Sequence, residues 1–106
     1  MVKEEIINII KDYISLLDKE GIKYEKVILF GSQLHGNTNE WSDIDLAVVS
    51  SDFDSNTFND RLMLAKLAYI IDPRLEVHPV NLYEYNNESW KTLVHEIKTN
   101  GIEVAA

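Results

Sequence analysis

Two aspartates, two residues apart, stand at the start of an apolar segment, "DIDLAVV", which begins at Asp43. Alternate side chains of a β-strand point to the same face, so the carboxylates of Asp43 and Asp45 should leave the sheet together. Like charges at that distance raise each other's pKa unless a cation offsets them, and oxygen ligands on a rigid strand suit Mg²⁺ or Mn²⁺. The pair therefore indicates a divalent metal site. A turn residue at Asp43 and a solvated strand position at Asp45 are an equal alternative.

Gly31 and Ser32 follow another apolar segment, "YEKVILF", and ten residues separate them from Asp43. A glycine after a buried strand permits a tight turn, in which backbone N–H groups and the Ser32 hydroxyl can hold a phosphate. Gly-Ser is also a common turn sequence, so the pair alone is a weak signal. The combination of a strand, Gly-Ser, ten residues and Asp-Ile-Asp opening a second strand is more specific.

A third acid, Glu76, lies in the segment "RLEVHPV". Its alternation puts Leu75 and Val77 on one face of a strand and Glu76 and His78 on the other. A carboxylate on a core-forming strand needs a partner that offsets its charge, which favours a role for Glu76 in the site. The alternative is that Glu76 is a charged residue of an edge strand that faces water. His78 could orient Glu76 or bind a transition metal ion, and a partly exposed polar residue is at least as good an interpretation.

The elements that must position these residues follow from the apolar pattern. Helix signals alternate with β-branched and aromatic segments, and all 106 residues are expected to form one domain. Pro79 indicates an edge strand or a strand end. The predicted elements are a helix over 2–20, strands over 24–30 and 44–50, a second helix after the N-cap candidates Asp54, Ser55 and Asn56 that ends at Asp72-Pro73, a strand over 75–82, a third helix over 87–100 and a short strand at 102–104. This order predicts an α/β or α+β fold, a small mixed sheet flanked by helices.

The same pattern predicts which side chains the helices bury, and Gly21 and Gly101 are expected to end the first and last helices. The predicted inward residues are Ile6, Ile7, Ile10, Tyr13, Ile14 and Leu17 in the first helix, Phe58, Leu62, Ala65, Ala68 and Tyr69 in the second, and Trp90, Leu93, Val94 and Ile97 in the third.

The composition narrows the classes of function. The chain has no cysteine, which excludes disulfides, thiolate metal sites and a thiol nucleophile. A net charge of −8 at pH 7 disfavours binding to long nucleic acids, which is normally driven by Lys and Arg. No apolar segment approaches the length of a membrane span, and acidic residues interrupt the N-terminal segment, so a cytoplasmic protein is expected.

The motif "GS", ten residues, "DID" and then "LAVV" resembles the signature of the minimal nucleotidyltransferases, the smallest members of the DNA polymerase beta-like superfamily. The resemblance implies that Gly31 and Ser32 contact a nucleoside triphosphate. It also implies that Asp43 and Asp45 bind divalent metal ions with Glu76 as the third acid. One departure stands out, because many relatives read "GSxARG" where this chain reads "GSQLHG". The turn therefore lacks an arginine that could bind the phosphates. A protonated His35 could take the place of that arginine.

The resemblance implies two-metal transfer of a nucleoside monophosphate, AMP from ATP with Mg²⁺ or Mn²⁺, to a hydroxyl group. The resemblance further implies an antitoxin paired with a helical HEPN-type ribonuclease toxin. The expected acceptor is therefore a partner protein, and a hetero-oligomer or homo-oligomer is expected. The alternative is a catalytically weak binding module that neutralises its helical partner by contact. In either case Trp41 and Tyr85 are candidate contact residues.

Overall fold

The computed structural model of the chain describes residues 2–35, 41–54 and 58–105. Its elements alternate helices with strands, and a short 3₁₀ turn follows the first strand. The elements are α1 (Glu4–Lys19), β1 (Lys26–Phe30), the 3₁₀ turn (Gly31–His35), β2 (Ile44–Ser50), α2 (Phe58–Ile71), β3 (Leu75–Asn81), α3 (Leu82–Asn87), α4 (Thr92–Asn100) and β4 (Ile102–Ala105). The predicted α+β class is confirmed. Within these described ranges no helix is long and apolar enough to cross a membrane.

The four strands form one mixed sheet in the order β3-β2-β1-β4. β1 pairs antiparallel with β2 and with β4, whereas β2 pairs parallel with β3. β3 lies at the edge of the sheet, where Pro79 is tolerated because one side of an edge strand needs no ladder hydrogen bonds. The predicted edge strand and the predicted short last strand are both present.

Each face of the sheet carries its own apolar cluster. On one face, α1 and α2 cover the sheet, and Tyr13 donates a hydrogen bond from its hydroxyl to the Leu64 carbonyl, 3.0 Å away. Burial raises the Tyr13 pKa well above its ordinary value, so the hydroxyl stays a donor. On the other face, Val94 and Ile97 of α4 pack on strand residues that include Phe30 and Ala47.

The first helix follows the prediction closely. Ile6, Ile10, Tyr13 and Leu17 are buried, and Ile7 and Ile14 are half-buried at the margins of the same stripe. Gly21 follows the helix with a φ of 72°, the left-handed conformation that glycine adopts without strain.

The predicted inward face of α2 is wrong except at Ala68. Tyr69 is 74% exposed, Phe58, Leu62 and Ala65 are also exposed, and Leu64 and Ala68 are the buried residues. Apolar residues occur all around this helix, so periodicity cannot select a face, and contact with α1 and β3 selects it instead. Of the N-cap candidates, Ser55 and Asn56 lie outside the described residues.

The helix predicted over 87–100 begins only at Thr92, as α4, and a separate short helix that the sequence did not predict, α3, ends at Asn87. α3 begins directly after β3 because the Asn81 side chain accepts hydrogen bonds from the N–H groups of Tyr83 and Glu84 and caps the helix. Trp90 lies in the connection and is 76% exposed, so its predicted burial is wrong. Val94 and Ile97 are buried, Leu93 is half-buried, and Gly101 ends α4 as predicted.

Candidate active site

Asp45 and Glu76 are neighbours across the parallel pairing of β2 with β3, in which their Cα positions are partners. Ile44 and Leu75, one residue earlier in each strand, belong to the core cluster on the opposite face. Because side chains alternate along each strand, burial of those two residues fixes the direction of both acids. The core thus brings the two carboxyl groups to one place on the sheet.

His78 joins the two acids because it lies two residues after Glu76 on the same face of β3. Its Nε2 atom is 3.8 Å from Oδ1 of Asp45 and 3.7 Å from Oε1 of Glu76. The ring of Phe30 packs against the imidazole, with the centroids 5.4 Å apart. One ligand atom from each of Asp45, Glu76 and His78 lies within 4.8 Å of the others.

The environment of Asp45 disfavours a bare negative charge. Burial raises the pKa of its carboxyl group above 3.8, the charge of Glu76 raises it further, and His78 partly offsets both effects. A bound cation would remove this penalty, because it interacts favourably with both carboxylates. The donor set of two carboxylates and an imidazole therefore fits a divalent metal ion.

Gly31 is pressed against the same carboxyl group. β1 ends at Phe30, which pairs with Asp45, and Gly31 turns the chain with a φ of 80°. A Cβ atom at position 31 would collide with Oδ2 of Asp45. Ser32 follows Gly31 and is exposed.

Gln33 is a buried polar residue whose role the sequence did not indicate. Its Nε2 donates a hydrogen bond to the Ser42 carbonyl, 3.2 Å away, and so joins the 3₁₀ turn to the residues just before β2. No motif marks such a residue, because a glutamine in a loop is usually solvated. The side chain of His35, the candidate phosphate ligand of the turn, lies outside the described residues.

Asp43 is the candidate that the structure sets apart from the others. It is exposed and precedes β2 by one residue, and it is not among the three residues whose ligand atoms cluster in the described part of the chain. It is still close enough for its charge to raise the pKa of Asp45. It also lines a surface cleft of about 500 Å³ together with Trp41 and Arg74.

A family model described as polymerase beta, nucleotidyltransferase, matches residues 4–106. The chain belongs to this nucleotidyltransferase family. The match confirms the family resemblance seen in the sequence. No curated protein sequence matches the chain significantly.

Solved structures resemble the chain as well. A nucleotidyltransferase-fold protein from Sulfolobus solfataricus is similar in fold, with a TM-score of 0.64 at 16% identity over 93% of this chain and 78% of that one. A toxin-antitoxin complex solved with AMP-PNP contains a chain 31% identical to this one, with a TM-score of 0.62 over 94% and 73% of the two chains. A complex of a tri-AMPylated HEPN toxin with an MNT antitoxin, from Shewanella oneidensis, gives 28% identity and a TM-score of 0.55 over 91% and 68%.

Proposed function

We propose that this nucleotidyltransferase transfers AMP from ATP to a hydroxyl group of a HEPN-type toxin and thereby acts as its antitoxin. The observation that carries the proposal is the pairing of Asp45 with Glu76 on adjacent parallel strands, with the Gly31-Ser32 turn against Asp45. The AMPylated toxin in the Shewanella oneidensis complex and the AMP-PNP in the other toxin-antitoxin complex support the same chemistry for this chain.

The site residues have separate roles in this proposal. Asp45 and Glu76 would hold the divalent metal ion, Mg²⁺ or Mn²⁺. Asp43, the residue just before β2, would be the further metal-binding acid. When bound, the ion neutralises phosphate charge and lowers the pKa of the attacking hydroxyl. Gly31 and Ser32 contact the triphosphate through the turn that begins at Gly31, since backbone N–H groups at such a turn suit phosphate oxygens.

The reaction forms one bond and breaks one bond. The acceptor oxygen attacks the α-phosphorus of ATP and forms the new P–O bond. The bond between the α-phosphorus and the oxygen that bridges it to the β-phosphate breaks, and pyrophosphate leaves with the electron pair of that bond. The proton of the acceptor hydroxyl passes to Glu76, whose carboxylate is the more exposed of the paired acids. The protein forms no covalent bond to the substrate, so positioning of the two reactants and electrostatic stabilisation supply the rate acceleration.

The acceptor is a protein in this proposal because the site is open. Glu76 lies on the edge strand β3, and its side chain is 54% exposed. A large acceptor can therefore reach the carboxylate from outside the sheet, and a tyrosine hydroxyl on a partner is the acceptor that we propose. The net charge of −8 favours encounter with a partner that presents a basic surface.

A second candidate is neutralisation of the toxin by contact alone. The turn from Gly31 to His35 contains no lysine or arginine, so it offers the phosphates no permanent positive charge. Such a module would use the same partner and need no transfer.

Mass spectrometry of the partner separates the two candidates. The chain is mixed with ATP, Mg²⁺ and a candidate HEPN-type toxin, taken from the reading frame next to its own if that frame encodes a helical protein. Transfer adds about 329 Da per AMP to the partner. We expect the adduct to disappear with Asp45→Asn and to persist with Asp12→Asn, a change of the same chemistry at an exposed position of α1. A tight complex that forms without any adduct, and that Asp45→Asn does not weaken, would overturn transfer and leave the contact module.

A further inference from the structure

We propose that His78 is a ligand of the metal centre and makes the centre prefer transition metal ions such as Zn²⁺ over Mg²⁺. The inference rests on the metal centre of the proposed function but not on the transfer reaction. The motif implies three acids, Asp43, Asp45 and Glu76. The described ligand atoms instead cluster at Asp45, Glu76 and His78, so a nitrogen atom joins two carboxylates.

The distances suit shared coordination. Ligand atoms bound to one ion at about 2.1 Å lie roughly 3.0 to 3.4 Å apart in octahedral or tetrahedral geometry. Nε2 of His78 lies 3.8 Å from the Asp45 oxygen and 3.7 Å from the Glu76 oxygen. Both separations exceed that range by less than about 1 Å, and all three ligand atoms lie within 4.8 Å of one another.

The strands and their neighbours hold the imidazole in place. His78 is the register partner of Ala47, whose small side chain leaves room above β2. The Phe30 ring lies against the imidazole at an interplanar angle of 57°. The His78 side chain is only 18% exposed, so it loses little conformational freedom when it binds an ion.

A nitrogen ligand changes which ions the centre prefers. Mg²⁺ strongly prefers oxygen ligands and retains bound water, so replacement of water by imidazole gains little. Imidazole is a good ligand for Zn²⁺ and its first-row neighbours, and affinity for a mixed nitrogen and oxygen site rises along that series. His78 therefore acts as a specificity-determining ligand for the ion.

Metal binding to the isolated protein tests the proposal without any transfer assay. Pulsed EPR of bound Mn²⁺ should show ¹⁴N modulation from an imidazole in the unmodified protein, and His78→Gln should abolish it. Calorimetry should show that His78→Gln weakens Zn²⁺ binding more than about tenfold and changes Mg²⁺ binding less than about twofold. His95→Gln is the matched control, since His95 is exposed on α4. Thermal denaturation confirms that both variants fold.

The outcomes are distinct. Bound Mn²⁺ without ¹⁴N modulation, or modulation that persists in His78→Gln, overturns the role of His78 and leaves the acidic centre intact. Absence of any Mn²⁺ binding overturns the metal centre itself. AMP transfer to the partner is measured separately and does not decide between these outcomes.

Discussion

Gly31 lies directly against the carboxyl group of Asp45, and a Cβ atom at position 31 would be 3.2 Å from its Cγ atom. The turn after β1 and the acid on β2 are therefore parts of one close-packed unit. A nucleotide phosphate held by the turn would lie beside the ion held by the acid. This contact explains why the motif combines a glycine with an aspartate on the neighbouring strand.

Gly31→Ala should weaken both folding and nucleotide binding. The φ of 80° costs a non-glycine residue about 1 kcal/mol, and overlap with Asp45 adds to that loss and displaces the carboxylate. Gly21→Ala is the control, because Gly21 has a φ of 72° and a Cβ atom added there would meet no atom within 4 Å. Chemical denaturation and ATP titration with Mg²⁺ should show a larger effect at Gly31 in both measurements. Equal losses of stability and unchanged nucleotide binding would contradict this prediction.

The double change Asp43→Asn and Asp45→Asn should abolish metal-dependent binding of ATP without unfolding the protein. Burial and the charge of Glu76 raise the pKa of Asp45, so removal of its charge relieves repulsion in the absence of metal. Calorimetry with ATP and Mg²⁺ measures binding, and thermal denaturation measures folding. Unchanged affinity and unchanged metal dependence would show that the site lies elsewhere.

Asp72 should stabilise the fold only where its carboxyl group is ionised. The Arg74 side chain donates to Asp72 over 3.0 and 3.1 Å, which lowers the Asp72 pKa below 3.8. Because the pKa of Asp72 is lower in the folded than in the unfolded protein, the stabilisation is complete at pH values above the unfolded-state pKa. It is lost as the pH falls through the folded-state pKa. Asp72→Asn should cost about 1 kcal/mol at pH 7 after allowance for solvent screening.

The cost of Asp72→Asn should shrink as the pH falls below 3.8 and vanish once the native carboxyl group is protonated. Urea denaturation across this pH range measures it. Glu5→Gln is the comparison, because Glu5 accepts from the same Arg74 at 3.1 Å but its side chain is 68% exposed. Its loss should stay below about 0.5 kcal/mol. A cost of Asp72→Asn that is independent of pH would refute the electrostatic explanation.

The sequence could place Asp45 and Glu76 on strands and predict which way Glu76 faces, because strand alternation is a local property. Burial of Leu75 and Val77 fixes the face of Glu76, whereas β2 is buried on both faces from Leu46 to Ser50 and shows no such alternation for Asp45. The parallel register that pairs the two acids depends on α2 and its connections, so it could not be predicted from either strand alone. Gln33 could not be recognised for a related reason, since its partner is a carbonyl group nine residues away.

The start of α3 had a signal in the sequence, the N-cap residue Asn81, that the strand pattern obscured. Asn81 is the last residue of β3 and also the N-cap of α3, so one residue serves two elements. Because no loop separates the strand from the helix, the apolar pattern of β3 continues into Leu82. Leu82 was therefore predicted to be the end of the strand rather than the first residue of α3. The helical pattern over 87–100 predicts an inward Trp90, but Trp90 lies in the connection between α3 and α4, where that pattern does not apply.

The orientation of α2 gives a prediction that separates the sequence pattern from the structure. Leu62 belongs to the face that periodicity predicted to be buried, but it is 39% exposed, whereas Leu64 is 0% exposed. Leu64→Ala should therefore cost about 2 to 5 kcal/mol because it leaves a cavity under the helix. Leu62→Ala should cost less than about 1 kcal/mol.

The two α2 variants are a matched pair, since each removes the same atoms from the same helix and leaves helix propensity equally changed. The hydrogen bond from Tyr13 goes to the backbone carbonyl of residue 64, so Leu64→Ala retains it and the measured loss reports packing. Urea denaturation of both variants measures the difference in the free energy of unfolding. A larger loss for Leu62→Ala than for Leu64→Ala would mean that α2 packs on the sheet through the face that the sequence pattern favoured.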